Sequence, residues 1–187
     1  DRYEVRVIDL KQRKRDGWKA RTLVTGFEHD WQLVEGMGSK LWFVTNRDAP
    51  RYRLVSIDLA ASRPEWTEII RESSAILRHA RIIGGNLVVS LLKDASSRAM
   101  IYDLKGKSVR SISLNGIGSA SGFRGRPDDP ETFYAFSSFN QPTAIYRMDL
   151  ATGQSQGFAR PSTGFEPRDY DVSQRFYTSK DGTRVPM

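Results

Sequence analysis

The chain has 187 residues, of which 39% are hydrophobic, 11% aromatic and 27% charged, and it has no cysteine. The apolar fraction excludes a disordered chain, and the missing cysteine excludes disulfides, thiolate metal sites and a cysteine nucleophile together. The net charge is +7, but acids are interspersed with bases, whereas a nucleic-acid footprint needs clustered charge. The one dense run, Lys11, Arg13, Lys14 and Arg15, adjoins Asp16-Gly17 and reads as a solvated loop with a turn. No apolar run approaches membrane-spanning length. Neither nucleic acid nor a membrane is therefore expected as a partner.

In chain order, a short phrase recurs. It reads Val7-Ile8-Asp9-Leu10, Ser56-Ile57-Asp58-Leu59, Ile101-Tyr102-Asp103-Leu104 and Arg147-Met148-Asp149-Leu150, with the aspartates 49, 45 and 46 residues apart. Strands fill the intervals. Trp31 to Val34 leads through a Gly36/Gly38 turn to Leu41 to Val44, then Tyr52 to Ile57 and Trp66 to Ile70. The next unit runs Ile76 to Ile83, a Gly84-Gly85-Asn86 turn, Leu87 to Leu92, Met100 to Leu104 and Val109 to Leu114. The third runs from Ile117 through Phe133 to Phe136 and Ala144 to Tyr146, ending at Phe158. No stretch keeps a helical period.

Four short strands per unit of roughly 45 residues predict an all-β fold, a partial β-propeller of about three and a half four-stranded antiparallel blades. A complete small β-sandwich is the alternative, but a sandwich has no reason to restate Asp-Leu at that interval. The expected units are 1–27, outer strands of a preceding blade; 28–74, 75–115 and 116–165, three blades; and 166–187, a linker and a new hairpin. Trp31, Trp42, Leu54, Ile57, Leu87, Val89, Tyr134 and Ile145 are expected in inter-blade cores. An incomplete ring leaves open edges, so the chain is expected to self-associate.

Chemistry is hard to find. Gly118-Ser119-Ala120-Ser121-Gly122 lacks the Gly-x-Ser-x-Gly spacing of a nucleophile elbow and no helix follows it, so it reads as an inner-strand segment. His29 and His79 lie at or in inner strands and read as structural. The recurring aspartates read as acceptors of backbone N–H groups in the turns that follow, not as paired acids. Gly106-Lys107-Ser108 has Ile101 where a phosphate loop needs its leading glycine. No catalytic, cofactor-binding or metal-ligating residue is predicted.

Three stretches carry a resemblance. Thr45-Asn46-Arg47-Asp48-Ala49-Pro50-Arg51-Tyr52-Arg53-Leu54, Phe133 to Pro142, and Phe176-Tyr177-Thr178-Ser179-Lys180-Asp181-Gly182-Thr183-Arg184-Val185-Pro186-Met187 resemble, in that order, segments of the prolyl oligopeptidase family of serine peptidases. The last resembles the passage from propeller to α/β-hydrolase domain, and its Asp181-Gly182 is a tight-hairpin signal. The resemblance implies a parent enzyme that cuts short peptides after proline, in the cytoplasm or alternatively the periplasm. It implies that the propeller gates access by size, and that the catalytic triad lies beyond this chain. An oligopeptidase B-like enzyme cutting after Arg or Lys, and a non-catalytic propeller platform, are the alternatives.

Overall fold

A computed structural model describes residues 2–11 and 19–187. The basic run at 13–15 and its turn at 16–17 lie outside the described residues. The chain folds into three four-stranded antiparallel sheets in which strand order follows sequence order. The first holds β3 (Trp31–Met37), β4 (Lys40–Thr45), β5 (Arg53–Asp58) and β6 (Thr67–Ile70). The second holds β7 (Ile76–Ile83), β8 (Asn86–Lys93), β9 (Ser96–Tyr102) and β10 (Ser108–Ile112). The third holds β11 (Ser119–Arg124), β12 (Glu131–Ser138), β13 (Gln141–Asp149) and β14 (Ser155–Ala159). Two hairpins flank them, β1 (Val5–Ile8) with β2 (Ala20–Val24), and β15 (Phe176–Thr178) with β16 (Arg184–Pro186). The first strands of the sheets, β3, β7 and β11, approach one another and form the inner side of the stack. This is the architecture of a partial β-propeller.

The sheets stack face to face because their middle strands are apolar on both faces. In β4, Trp42 and Val44 point to the second sheet and pack with Leu54, Ala80, Leu87 and Val89. Phe43, between them, points the other way and packs with Trp31 and Val55, backed by Val5 and Val24 of the first hairpin. Trp66 closes that side, its ring 4.7 Å from Trp31 and 5.5 Å from Phe43. Between the second and third sheets, Ile83, Val88, Ile101 and Ile112 meet Phe123, Tyr134, Phe136, Tyr146 and Met148. Each large side chain buried in this way contributes roughly 1.5–3 kcal/mol of transfer free energy.

Seven of the eight expected core residues are buried. Ile145 is the correction, being only half-buried. Side chains alternate along a strand; Ala144, Tyr146 and Met148 face the second sheet, so Ile145 faces outward. It lies there with Phe133 and with Phe158, which is 64% exposed. A second correction concerns β9, which begins at Ser96 and not at Met100. The turn before it uses Asp94 and Ala95, both at positive φ, so the glycine that would have marked it is missing. The segment at 118–122 enters the inner strand β11 as read, and β11 runs into β12 with no helix between them. Gly118 is small because a Cβ would overlap the Ser137 carbonyl and the Phe136 ring.

The repeated aspartates act as read. Asp9 Oδ1 accepts from Lys11 N–H (2.9 Å), Asp58 Oδ1 from Ala60 N–H (3.0 Å), Asp103 Oδ1 from Lys105 and Lys107 N–H (both 2.9 Å), and Asp149 Oδ1 from Thr152 N–H (2.7 Å). The Thr152 N–H and hydroxyl hold the Asp149 carboxyl below the usual carboxylate range, the Ser39 hydroxyl and Ala60 N–H do the same at Asp58, and Thr183 does so at Asp181. The turn after Asp103 also locks the first two sheets together. Gly106, at φ +86°, lies so close to β6 that a Cβ would overlap the Ile69 carbonyl oxygen.

Two outcomes follow. Gly85 also has positive φ (+70°) but open space around it, so Gly85→Ala costs about 1 kcal/mol through backbone strain alone. Gly106→Ala adds overlap to strain and costs roughly 2–4 kcal/mol; equal urea midpoints for the two variants would refute the locking role. The lowered aspartates set an acid limb. Their stabilisation is present above the unfolded value of about 3.9 and is lost as pH falls through the lower folded value. Urea midpoints should therefore fall as pH drops below about 4, and Asp149→Asn should flatten that fall while lowering stability at neutral pH.

Candidate functional site

At one end of the stack, each turn between second and third strands meets the start of an inner strand. The first such turn is Thr45 to Tyr52. Thr45 is buried at the end of β4, and its hydroxyl donates to the Asp30 carbonyl at 2.7 Å. Asp30 N–H donates to Asn46 Oδ1 at 2.7 Å. The turn closes on itself through Ala49 N–H to the Asn46 carbonyl (3.1 Å) and Tyr52 N–H to the Ala49 carbonyl (2.8 Å), with Asp48 and Tyr52 at positive φ. On its far side the Arg51 carbonyl accepts Leu77 N–H at 2.9 Å. One turn thus fixes where two inner strands begin, its own and that of the next sheet.

The pattern repeats with different side chains. In the second sheet, Ser97 N–H donates to the Gly118 carbonyl and Ala120 N–H donates to Ser97 Oγ, both at 2.9 Å. In the third, the Ser138 hydroxyl donates to the carbonyl of Ile117, just ahead of its own inner strand, at 2.6 Å. The partner of that turn on its far side is not a further strand but the segment after β14. Asn140 Nδ2 donates to the carbonyls of Pro167 (2.9 Å) and Tyr170 (2.7 Å). The short 3-10 turn Pro167–Asp169 lies there.

Between the first two sheets this end opens into a cleft of about 440 Å³ lined by Asp30, Gln32, Tyr52, Leu77, Arg78 and His79, with Tyr3 at its edge. The Asp30 side chain is buried. Its Oδ2 accepts from Gln32 Nε2 (2.7 Å) and from the Tyr52 hydroxyl (3.2 Å). Burial first, then the negative charge of Asp30 and the hydrogen bond to it, push the Tyr52 phenol up, against the opposing effect of Arg78. Desolvation first, then Arg78 and Arg81, lower the His79 imidazole from its ordinary value. His29 is half-buried, and its carbonyl accepts Tyr3 N–H at 2.9 Å.

The cleft pairs a carboxylate with a phenol and an amide and couples none of them to a nucleophile. Its chemistry is positional hydrogen bonding. Among the described residues no group of three or more His, Asp or Glu is placed to hold a metal ion, and no helix is long and apolar enough to cross a membrane. Sequence reasoning passed over Asp30, Gln32 and Arg78. The available signal was the Thr45-Asn46 pair, whose short polar side chains at a strand end must bond to some backbone.

The comparisons with known proteins agree with this geometry. The family model described as prolyl oligopeptidase, N-terminal beta-propeller domain, matches residues 1–161. The prolyl endopeptidase of Elizabethkingia miricola is 37% identical over 166 residues, covering 88% of this chain and 23% of that protein. The dual function macrocyclase-peptidase of Amanita bisporigera is 31% identical over 173 residues, covering 89% and 24%. Apo prolyl oligopeptidase B from Galerina marginata superposes with a TM-score of 0.85 at 26% identity, over 98% of this chain and 27% of that one. The chain therefore spans about a quarter of the length of these relatives. It belongs to the prolyl oligopeptidase family, in which it corresponds to part of the N-terminal β-propeller domain.

Proposed function

We propose that the chain forms the later blades of the gating propeller of a serine endopeptidase that hydrolyses short peptides after proline. The observation that carries this reading is the match of residues 1–161 to the propeller domain of a family whose similar members are prolyl endopeptidases. In this reading residues 1–27 are the outer strands of a preceding blade. Residues 28–74, 75–115 and 116–165 are blades, and 166–187 open the hydrolase domain. The nucleophile, acid and base belong to that domain, and the propeller's work is exclusion. It covers the reacting centre, admits extended peptides and keeps bulk water and folded substrates out. The enzyme works in the cytoplasm, and the chain alone does not hydrolyse peptides.

Two measurements test this. Full-length protein should cleave a fluorogenic peptide with Pro before the scissile bond and leave its Arg counterpart intact, while the 187-residue chain is silent toward both. Cleavage after Arg, or no cleavage by the full-length protein, would overturn the assignment. The second concerns the outward face of the third sheet, where Phe133, Ile145 and Phe158 are left half-covered or exposed. The isolated chain should self-associate through this face. Light scattering should report a mass above that of the monomer, and Phe158→Ser should lower it; a monodisperse monomer at high concentration would count against the idea.

A further inference from the structure

We infer that the outer cleft between the first two sheets binds an extended acidic peptide, one with an apolar residue midway between two carboxylates. This role is separate from the function proposed above. The cleft encloses about 560 Å³, a volume that suits a short ligand. Its floor is apolar. Ile69 and Ile70 of β6 line it together with Leu77, Leu91 and Tyr102 of the second sheet, and all of these except Leu77 are only half-buried. They pack against the core between the sheets and leave their outer sides to the cleft.

The rim is cationic. Arg71, Lys105 and Lys107 line the same cleft, all three exposed, and among the described residues no Asp or Glu lines it. None of the three pairs with a carboxylate among the described residues. The acids of the neighbouring segments are already engaged. Glu68 pairs with Arg53 at 3.2 Å, Glu72 Oε1 accepts Arg51 N–H at 2.5 Å, and Asp103 Oδ1 accepts the N–H groups of Lys105 and Lys107. Burial alone pushes the Tyr102 phenol up, so it stays a protonated donor beside the floor. Unpaired cations over an apolar floor favour an anion that also carries apolar surface.

Strand register sets the spacing. Leu91 lies opposite Leu77, whose N–H the Arg51 carbonyl holds, and Glu72, next to Arg71, is tied to Arg51 as well. Leu91 and Arg71 therefore mark one end of the cleft. Tyr102 lies opposite Leu87, four residues from Leu91 along β8, and the turn with Lys105 and Lys107 follows it. The cations thus stand at the two ends of a floor ~13 Å long. In an extended peptide, residues i, i+2 and i+4 share one face, and i to i+4 spans ~13 Å. A Glu-x-Leu-x-Glu pattern places both carboxylates at the cations and the leucine on the floor. A small inorganic anion reaches one end only. β6 is also the edge strand of its sheet, and an edge offers an extended chain backbone groups that an alkyl dicarboxylate cannot use.

Fluorescence anisotropy with full-length protein tests this, using labelled Gly-Glu-Ser-Leu-Ser-Glu-Gly, which holds neither proline nor a basic residue. Binding should weaken with salt. Lys105→Glu combined with Lys107→Glu should raise Kd roughly tenfold. Arg71→Glu, on a different element, should raise it severalfold. The same charge change made in the first hairpin, Lys19→Glu combined with Arg21→Glu, should leave it unchanged. Moving the leucine one place, in Gly-Glu-Leu-Ser-Ser-Glu-Gly, should weaken binding severalfold, because that leucine faces away from the floor. Equal affinity for the two leucine registers, or equal weakening by the hairpin pair, overturns the inference and leaves only a general attraction of anions to a basic protein. No binding of the labelled peptide overturns it outright. Cleavage plays no part in the readout. A protein inactive toward proline peptides can still bear out the cleft, and loss of the cleft leaves the peptidase assignment standing.

Discussion

A sheet that is apolar on both faces cannot be left alone in water. That constraint governs this chain. β4 places Trp42 and Val44 on one face and Phe43 on the other, and β12 places Tyr134 and Phe136 inward with Phe133 outward. Each sheet therefore buries both faces only with a neighbour on both sides, and the fold extends by repetition until a ring closes or a surface is left bare. The first hairpin covers the starting face through Val5 and Val24. On the finishing face, Phe158 meets Phe133 edge to face at 5.0 Å and still stays largely exposed.

Apolar contact gives these interfaces their energy but little direction, since burial alone does not specify one relative position of two sheets. Direction comes from the turns at one end. Thr45, Asn46 and Arg51 fix the starts of β3 and β7, and Ser97 fixes the start of β11. These bonds use backbone groups of inner-strand starts, which otherwise would lack a ladder partner. At the opposite end the aspartate turns and Gly106 play the matching part, pressing the second sheet against β6.

Much of this was legible in the sequence because repetition is a property of sequence. The Asp-Leu phrase gave the interval, and the aspartates proved to bond to the turn N–H groups as their side-chain chemistry suggests. What escaped was whatever depends on phase or on unmarked conformation. Ile145 and Tyr146 both suit a buried strand position, and only the pleat decides which of them meets the second sheet. The Asp94-Ala95 turn carries no glycine, so β9 read as starting too late. Asp30 escaped for a different reason. An acid before a strand looks solvated, and only the folded turn reveals that Thr45, Asn46, Gln32 and Tyr52 bury it with partners.

The two ends of the stack are therefore unequal. One end is closed by turns that touch only their own sheet or its neighbour. The other gathers the Asp30 cleft, the three stapling turns and the segment after β14. That end carries the starts of β3, β7 and β11, the strands nearest the inner side of the stack, and so fixes their spacing. That spacing is set by a few short side-chain hydrogen bonds rather than by a continuous ladder. Hence the residues that position the sheets against one another are also those that set the spacing of the inner strands.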